Sequence, residues 1–149
     1  MVKPKMWQIV LAAAVIGTAW LSVIGGLAES AWTTKPTTSE LISASSRLKM
    51  PENSEPAPLD VFSKVTFIGA VSKTATRLPM PLITDHFRNQ AVKLNWNLKA
   101  TRDTKNGQKT TYCDGTFAHQ IELTQRRDRT EIYAGTYWHS DKSSDLYCR

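Results

Sequence analysis

Three histidines and two cysteines are the residues whose types could carry metal or nucleophilic chemistry: His86, His119, His139, Cys113 and Cys148. A metal site joining His119, His139 and an acid would need clustered spacing, but neither H-x-x-x-H nor H-E-x-x-H occurs. A serine nucleophile on a tight turn would show G-x-S-x-G, which is absent. A cysteine nucleophile needs a thiolate activated beside a histidine, and here a structural use of both cysteines accounts better for them. Glycoside chemistry needs two facing carboxylates. Glu122 and Glu131 come closest, and acids on a basic sheet more simply serve solvation. No glycine-rich phosphate loop is present. The expectation is a non-enzymatic chain, with no catalytic residues, metal or cofactor.

What positions these residues begins with an apolar run. Residues 9–28 read IVLAAAVIGTAWLSVIGGLA, 20 residues without a charge. As a helix they span about 30 Å, one hydrocarbon thickness. Lys3 and Lys5 precede the run and Glu29 follows it. The positive-inside rule then places the N-terminus in the cytoplasm and the rest outside. Trp7 and Trp32 flank the run as interfacial anchors. The alternative is a cleaved signal peptide, for which Gly26-Leu27-Ala28 and Ala28-Glu29-Ser30 offer small residues. Signal h-regions usually run about 7–15 residues, which favours a retained anchor. Ala14, Thr18, Ser22 and Gly26 recur every fourth residue, a small-residue stripe suited to helix pairing.

Residues 29–58 read as a linker rich in Ser, Thr and Pro, too polar to offset its own ordering entropy. One short helix is expected inside it, capped by Ser39, carrying Leu41, Ile42, Ala44 and Leu48, and stopped by Pro51. Residues 59–149 form the expected domain, large enough for one modest core. It holds 14 Lys or Arg against nine Asp or Glu, so most of the net charge of +6 belongs to it.

The pattern of that domain is mainly β, a small antiparallel sheet or partly closed barrel. Val61, Val65, Phe67, Gly69 and Val71 share one face of a candidate strand over 61–72, with Phe62 and Ile68 on the other. Residues 83–90 fit either a helical turn or an irregular edge. Val92, Leu94, Trp96, Leu98 and Ala100 alternate with polar residues, which predicts a half-buried strand. Asn106-Gly107 suggests a type I′ hairpin pairing Lys105 with Gln108. Ala100 would then face Cys113, and Trp96 would face Phe117, so Cys113 and Phe117 would share the inward side. A second hairpin over residues 126–129 pairs Gln125 with Thr130, Leu123 with Ile132 and Ile121 with Ala134. It also places Phe117 opposite Trp138.

An exported chain meets an oxidising compartment, so a Cys113–Cys148 disulfide is expected. The loop of about 36 residues makes it worth roughly 4 kcal/mol in the chain-entropy model. Binding candidates lie on the second hairpin. Arg126, Arg127 and Arg129 form a basic tip suited to anionic lipid, cell-wall polymer or an acidic partner, or simply to solvation. Tyr133 and Tyr137 fall on the parity opposite Ile132, Ala134 and Trp138, as an exposed aromatic patch. Nucleic acid is not an expected partner: no recognition helix or RNA-binding signature is present.

The short basic N-terminus, single span and exported β-domain together resemble, in layout, the small inner-membrane accessory proteins of the ToxS and FidL kind. That resemblance implies a single-pass protein of a bacterial inner membrane, with a periplasmic domain that pairs with a membrane-bound regulator. The expected function is a membrane-tethered binding or accessory module for a membrane protein or a small amphiphile. Two alternatives are an inhibitor or envelope-binding protein using the basic hairpin tips, and a structural subunit of an envelope-spanning complex.

Overall fold

The computed structural model describes residues 35–149. The apolar run at residues 9–28, with the stripe of Ala14, Thr18, Ser22 and Gly26, lies outside them. Among the described residues no helix is long and apolar enough to cross a membrane. The elements are α1 (Thr38–Ser46), β1 (Asp60–Lys64), β2 (Phe67–Thr76), α2 (Met80–Lys93), β3 (Asn97–Thr104), β4 (Gly107–Cys113), β5 (Ala118–Gln125) and β6 (Thr130–His139). The six strands make one antiparallel sheet in the order β1-β2-β6-β5-β4-β3. It is open, with β1 and β3 as edges, and does not close into a barrel.

Residues 35–58 belong to the compact unit, which runs from Lys35 to Arg149. The stretch read as linker orders because α1 buries Leu41 and Ala44 against Ile68, Ala70, Phe117 and Trp138. Thr37, not Ser39, is its N-cap. It forms a capping box with Glu40, satisfying two backbone N–H groups reciprocally.

The candidate strand over 61–72 is a hairpin instead. It turns at residues 65 and 66, so Phe62 pairs with Gly69 and Val61 with Ala70. Phe62, Phe67 and Val71 therefore meet on one face, and Val65 sits at the turn, 88% exposed.

Residues 80–93 are the helix α2. Pro79 and Pro81 do not break it but start it, where a missing N–H costs nothing. Ile83, Phe87 and Ala91, four residues apart, form its buried stripe on Trp96, Tyr112, Ile121, Leu123, Ile132 and Ala134. The alternating run from Val92 merged the end of this helix with the start of β3. Asn95 ends it in the left-handed region at φ 54°. The N–H of Asn95 donates to the Val92 carbonyl, and that of Trp96 to the Ala91 carbonyl, a Schellman cap.

The first hairpin also differs in register. Thr104 pairs with Gly107, so Ala100 faces Thr111 rather than Cys113. Neither Lys105 nor Asn106 has positive φ, so the turn is not type I′. Gly107 serves packing: a Cβ there would stand 1.8 Å from the Leu123 carbonyl oxygen on β5. A bulge between Leu98 and Ala100 then shifts the register by one, and Leu98 is exposed. The second hairpin follows the expected register, with Gln125 on Thr130, Leu123 on Ile132 and Ile121 on Ala134.

Both helices cover one face of the sheet. On the other face, Cys113 is bonded to Cys148 with Cα atoms 5.4 Å apart. This carries the tail across Ala118 and Tyr137, with Leu146 packed beside them. Phe117 packs under α1 on the helix side, so it and Cys113 do not share a face. The turn at residues 114–117 breaks the strand parity between them.

Candidate functional site

Two places concentrate polar chemistry, one on each face of the sheet. On the helix side, the turn between β4 and β5 is organised by Asp114. Its Oδ1 accepts the N–H groups of Thr116 at 2.9 Å and Phe117 at 2.7 Å. Gly115 supplies the positive φ of 96° that this turn requires. Asp114 Oδ2 then lies 3.1 Å from His119 Nε2 and 3.8 Å from the Arg47 guanidinium. His119 is fully buried, with Nδ1 3.1 Å from Thr136 Oγ1 on the paired strand. Its ring stacks on Trp96, centroids 3.7 Å apart, and Arg47 lies over the same indole.

Burial pushes the Asp114 carboxyl up. The hydrogen bonds from His119 and from the N–H groups of Phe117 and Thr116, together with the charge of His119, outweigh that and hold it down at about 2. An ionised Asp114 only accepts, so His119 Nε2 carries the proton between them. The order acid, imidazole, hydroxyl is that of a hydrolase triad. Here the hydroxyl belongs to Thr136, which is fully buried, so no substrate atom reaches it. The arrangement joins α1, the turn and two strands through one polar network.

The open face carries the expected aromatic pair, but its members differ. Tyr133 is 37% exposed and stands beside Lys73, Glu122, Thr124 and Glu131 around a cavity of about 380 Å³. Tyr137 is 5% exposed and is not a surface residue. Its ring lies over Gly135, where a Cβ would be 2.3 Å from the phenol oxygen, and stacks on Phe67 at 5.8 Å. Phe62 covers Gly69 in the same way, 2.4 Å from a Cβ placed there. The β1–β2 hairpin thus supplies the cover that buries Tyr137. Burial, and the Tyr137 hydroxyl's bond to Tyr133 at 3.5 Å, raise its pKa.

The arginine tip is partly neutralised. Arg126 pairs with Glu131 at 3.1 Å and Arg129 with Glu55 at 3.7 Å. Arg127 has no ion-pair partner among the described residues. Arg129 also borders a cavity of about 370 Å³ with Asn53, Glu55, Arg77 and Asp128. The five sequence-chosen binding residues are therefore not one surface: Tyr133 faces the open sheet, Tyr137 is core, and the arginines cap one end. No family model, curated protein or solved structure matches the chain.

Sequence reasoning passed over the Asp114–His119 network. The signal was present: His119 shares the odd-numbered parity of Phe117, Ile121 and Leu123. An inward histidine on an apolar stripe must find partners, and Asp114-Gly115 offers a carboxylate on a turn. Among the described residues, no three of His, Cys, Asp and Glu stand close enough to hold a metal ion.

Proposed function

We propose that the chain is a membrane-tethered, extracytoplasmic binding module that works by association with a protein partner in the same membrane. The observation that carries this reading is the asymmetry of the sheet. Two helices cover one face, and the tail covers part of the other. The uncovered part centres on Tyr133, with a lysine and two glutamates around it. An exposed aromatic within a mixed-charge surround suits a protein interface: the ring supplies contact area and the charges set partner choice. The buried polar network supports the same reading, because its hydroxyl is closed to substrate and its groups tie elements together.

A photoreactive amino acid at position 133 tests the proposal. In the full chain, expressed in membranes, it should crosslink a discrete membrane protein, and the same probe at exposed Val92 on α2 should not. Equal crosslinking at both positions, or none at 133, would overturn it. A second reading, an envelope-binding protein using the arginine end, draws support from unpaired Arg127 and from Arg77 across the neighbouring cavity. It would appear as binding to anionic cell-wall polymer that Arg127→Glu abolishes and Tyr133→Ala leaves unchanged.

A further inference from the structure

The sheet has two edges, and they differ in what they offer. The β3 edge is blunted: a bulge between Leu98 and Ala100 interrupts its ladder, and the tail engages Lys99 and Arg102. The β1 edge has neither bulge nor proline. Among the described residues its one strand neighbour is β2. Lys64 and Phe67 close a two-residue turn, which makes them a hydrogen-bonded pair. Alternation along the strand then turns the N–H and C=O groups of Val61 and Ser63 outward, away from β2. Such a row of backbone groups is a template for another strand. The Lys35 ammonium, donating to Ser63 Oγ at 2.9 Å and to the Lys64 carbonyl, holds the end of β1 in place.

The side chains of β1 show which strand fits. Asp60, Phe62 and Lys64 lie on the open face, opposite Val71, Gly69 and Phe67. Asp60 and Lys64 are exposed, and neither has an ion-pair partner among the described residues. Four residues apart on a strand, they stand about 13 Å from each other, too far to pair. A second copy of β1, laid antiparallel with Phe62 opposite Phe62, partners both charges at once. Asp60 then faces Lys64 of the second copy, and Lys64 faces its Asp60. Val61 faces Ser63 of the second copy, so the outward N–H and C=O groups meet in hydrogen-bonded pairs on both sides of the centre. A shift of two residues in either direction keeps the ladder but loses both charge pairs. The Phe62 ring, already packed with Phe67 and Tyr137, meets its own copy across the centre. Exposed Val61, on the helix side, is shielded by the same contact.

We propose that two copies of the chain join through their β1 edges about a two-fold axis, continuing one six-stranded sheet into the other. The pairing lies in the plane of the sheet, so it leaves the Tyr133 face open. It stands or falls separately from association at that face.

The test is sedimentation equilibrium of the full chain in a non-ionic detergent, alone and as D60K, K64D and the double exchange D60K/K64D. The unsubstituted chain should dimerise. D60K sets two lysines against each other at both contacts, and K64D sets two acids. Each should weaken the dimer about tenfold. The double exchange rebuilds both pairs with their signs reversed and should recover the dimer. An equal mixture of D60K and K64D chains should recover it too, as a heterodimer. Both side chains are exposed, so melting of the domain should not change. A monomer at every concentration, or a dimer that neither single substitution weakens, overturns the proposal. So does a loss that the double exchange leaves in place.

Discussion

Asp114 carries the clearest electrostatic consequence in the domain. Its carboxyl is lowered from an ordinary 3.8 to about 2, and its side chain is almost fully enclosed. A depressed carboxyl stabilises the fold at every pH above its unfolded value. That contribution, about 2 kcal/mol, is lost as pH falls from about 4 towards 2. Urea unfolding at stepped pH should show this acid limb, and Asp114→Asn should flatten it while lowering stability at pH 7. An unchanged acid limb in that variant would show that other carboxylates govern it. Glu40, Glu131 and Asp141 are also lowered, each by local hydrogen bonds, but as surface groups they add little. The tyrosines separate at this scale too. Tyr137→Ala should cost about 3–5 kcal/mol, because it empties a packed aromatic cluster, while Tyr133→Ala should leave the melting temperature nearly unchanged and weaken partner binding. Strand parity put both tyrosines on the face opposite Ile132, and they are there. What parity could not reveal was the β1–β2 hairpin, which covers one and leaves the other. That cover depends on Gly69 and Gly135, whose bare backbones admit the Phe62 and Tyr137 rings.

At the scale of elements, legibility followed how local the determining forces were. The β5–β6 hairpin was readable in register because a polar connection joins two clean alternations and nothing distant competes. The β3–β4 hairpin was not, since Asn106-Gly107 looked like turn chemistry while Gly107 answers to the β5 backbone against it. Period two over residues 92–100 was likewise two elements joined by the left-handed Asn95. The linker composition of residues 35–58 misled because a few apolar residues in a polar stretch carry its packing: Leu41 and Ala44 in one cluster, and Leu48 and Met50 against the α2 core. The disulfide was legible from the even cysteine count together with the expected export of the chain. Its work is to hold the tail over the open face, aided by Lys99, which donates to the Tyr147 carbonyl, and by the Arg102–Asp145 pair at 2.8 Å. Cys148→Ala should lower stability by about 4 kcal/mol, the loop-closure value for a separation of 35 residues. Hydrogen exchange should then rise in the tail and in β1, whose Phe62 packs in the same cluster as Cys148, before it rises in β5. Faster exchange spread evenly over all six strands would refute a local strap.

The whole molecule gains its function from confinement, on the reading proposed above. Six residues, 29–34, separate the apolar run from a unit that is ordered from Lys35 onward. A domain on so short a tether meets a partner in the same membrane at high effective concentration, so a weak interface around Tyr133 suffices for association. The argument has a measurable slope. Effective concentration falls roughly as the −3/2 power of tether length once the tether exceeds the span. Inserting 20 Gly and Ser residues between Thr34 and Lys35 lengthens a six-residue tether to 26, which predicts about a ninefold loss of association. The insertion lies outside the described unit, so melting of the domain should not change. Crosslinking yield at position 133 across a series of insertion lengths reads the effect directly. A yield indifferent to length would mean that the partner approaches from solution and is not held in the same membrane. The Tyr133 face would then still be an interface, but the tether would serve only to place the protein.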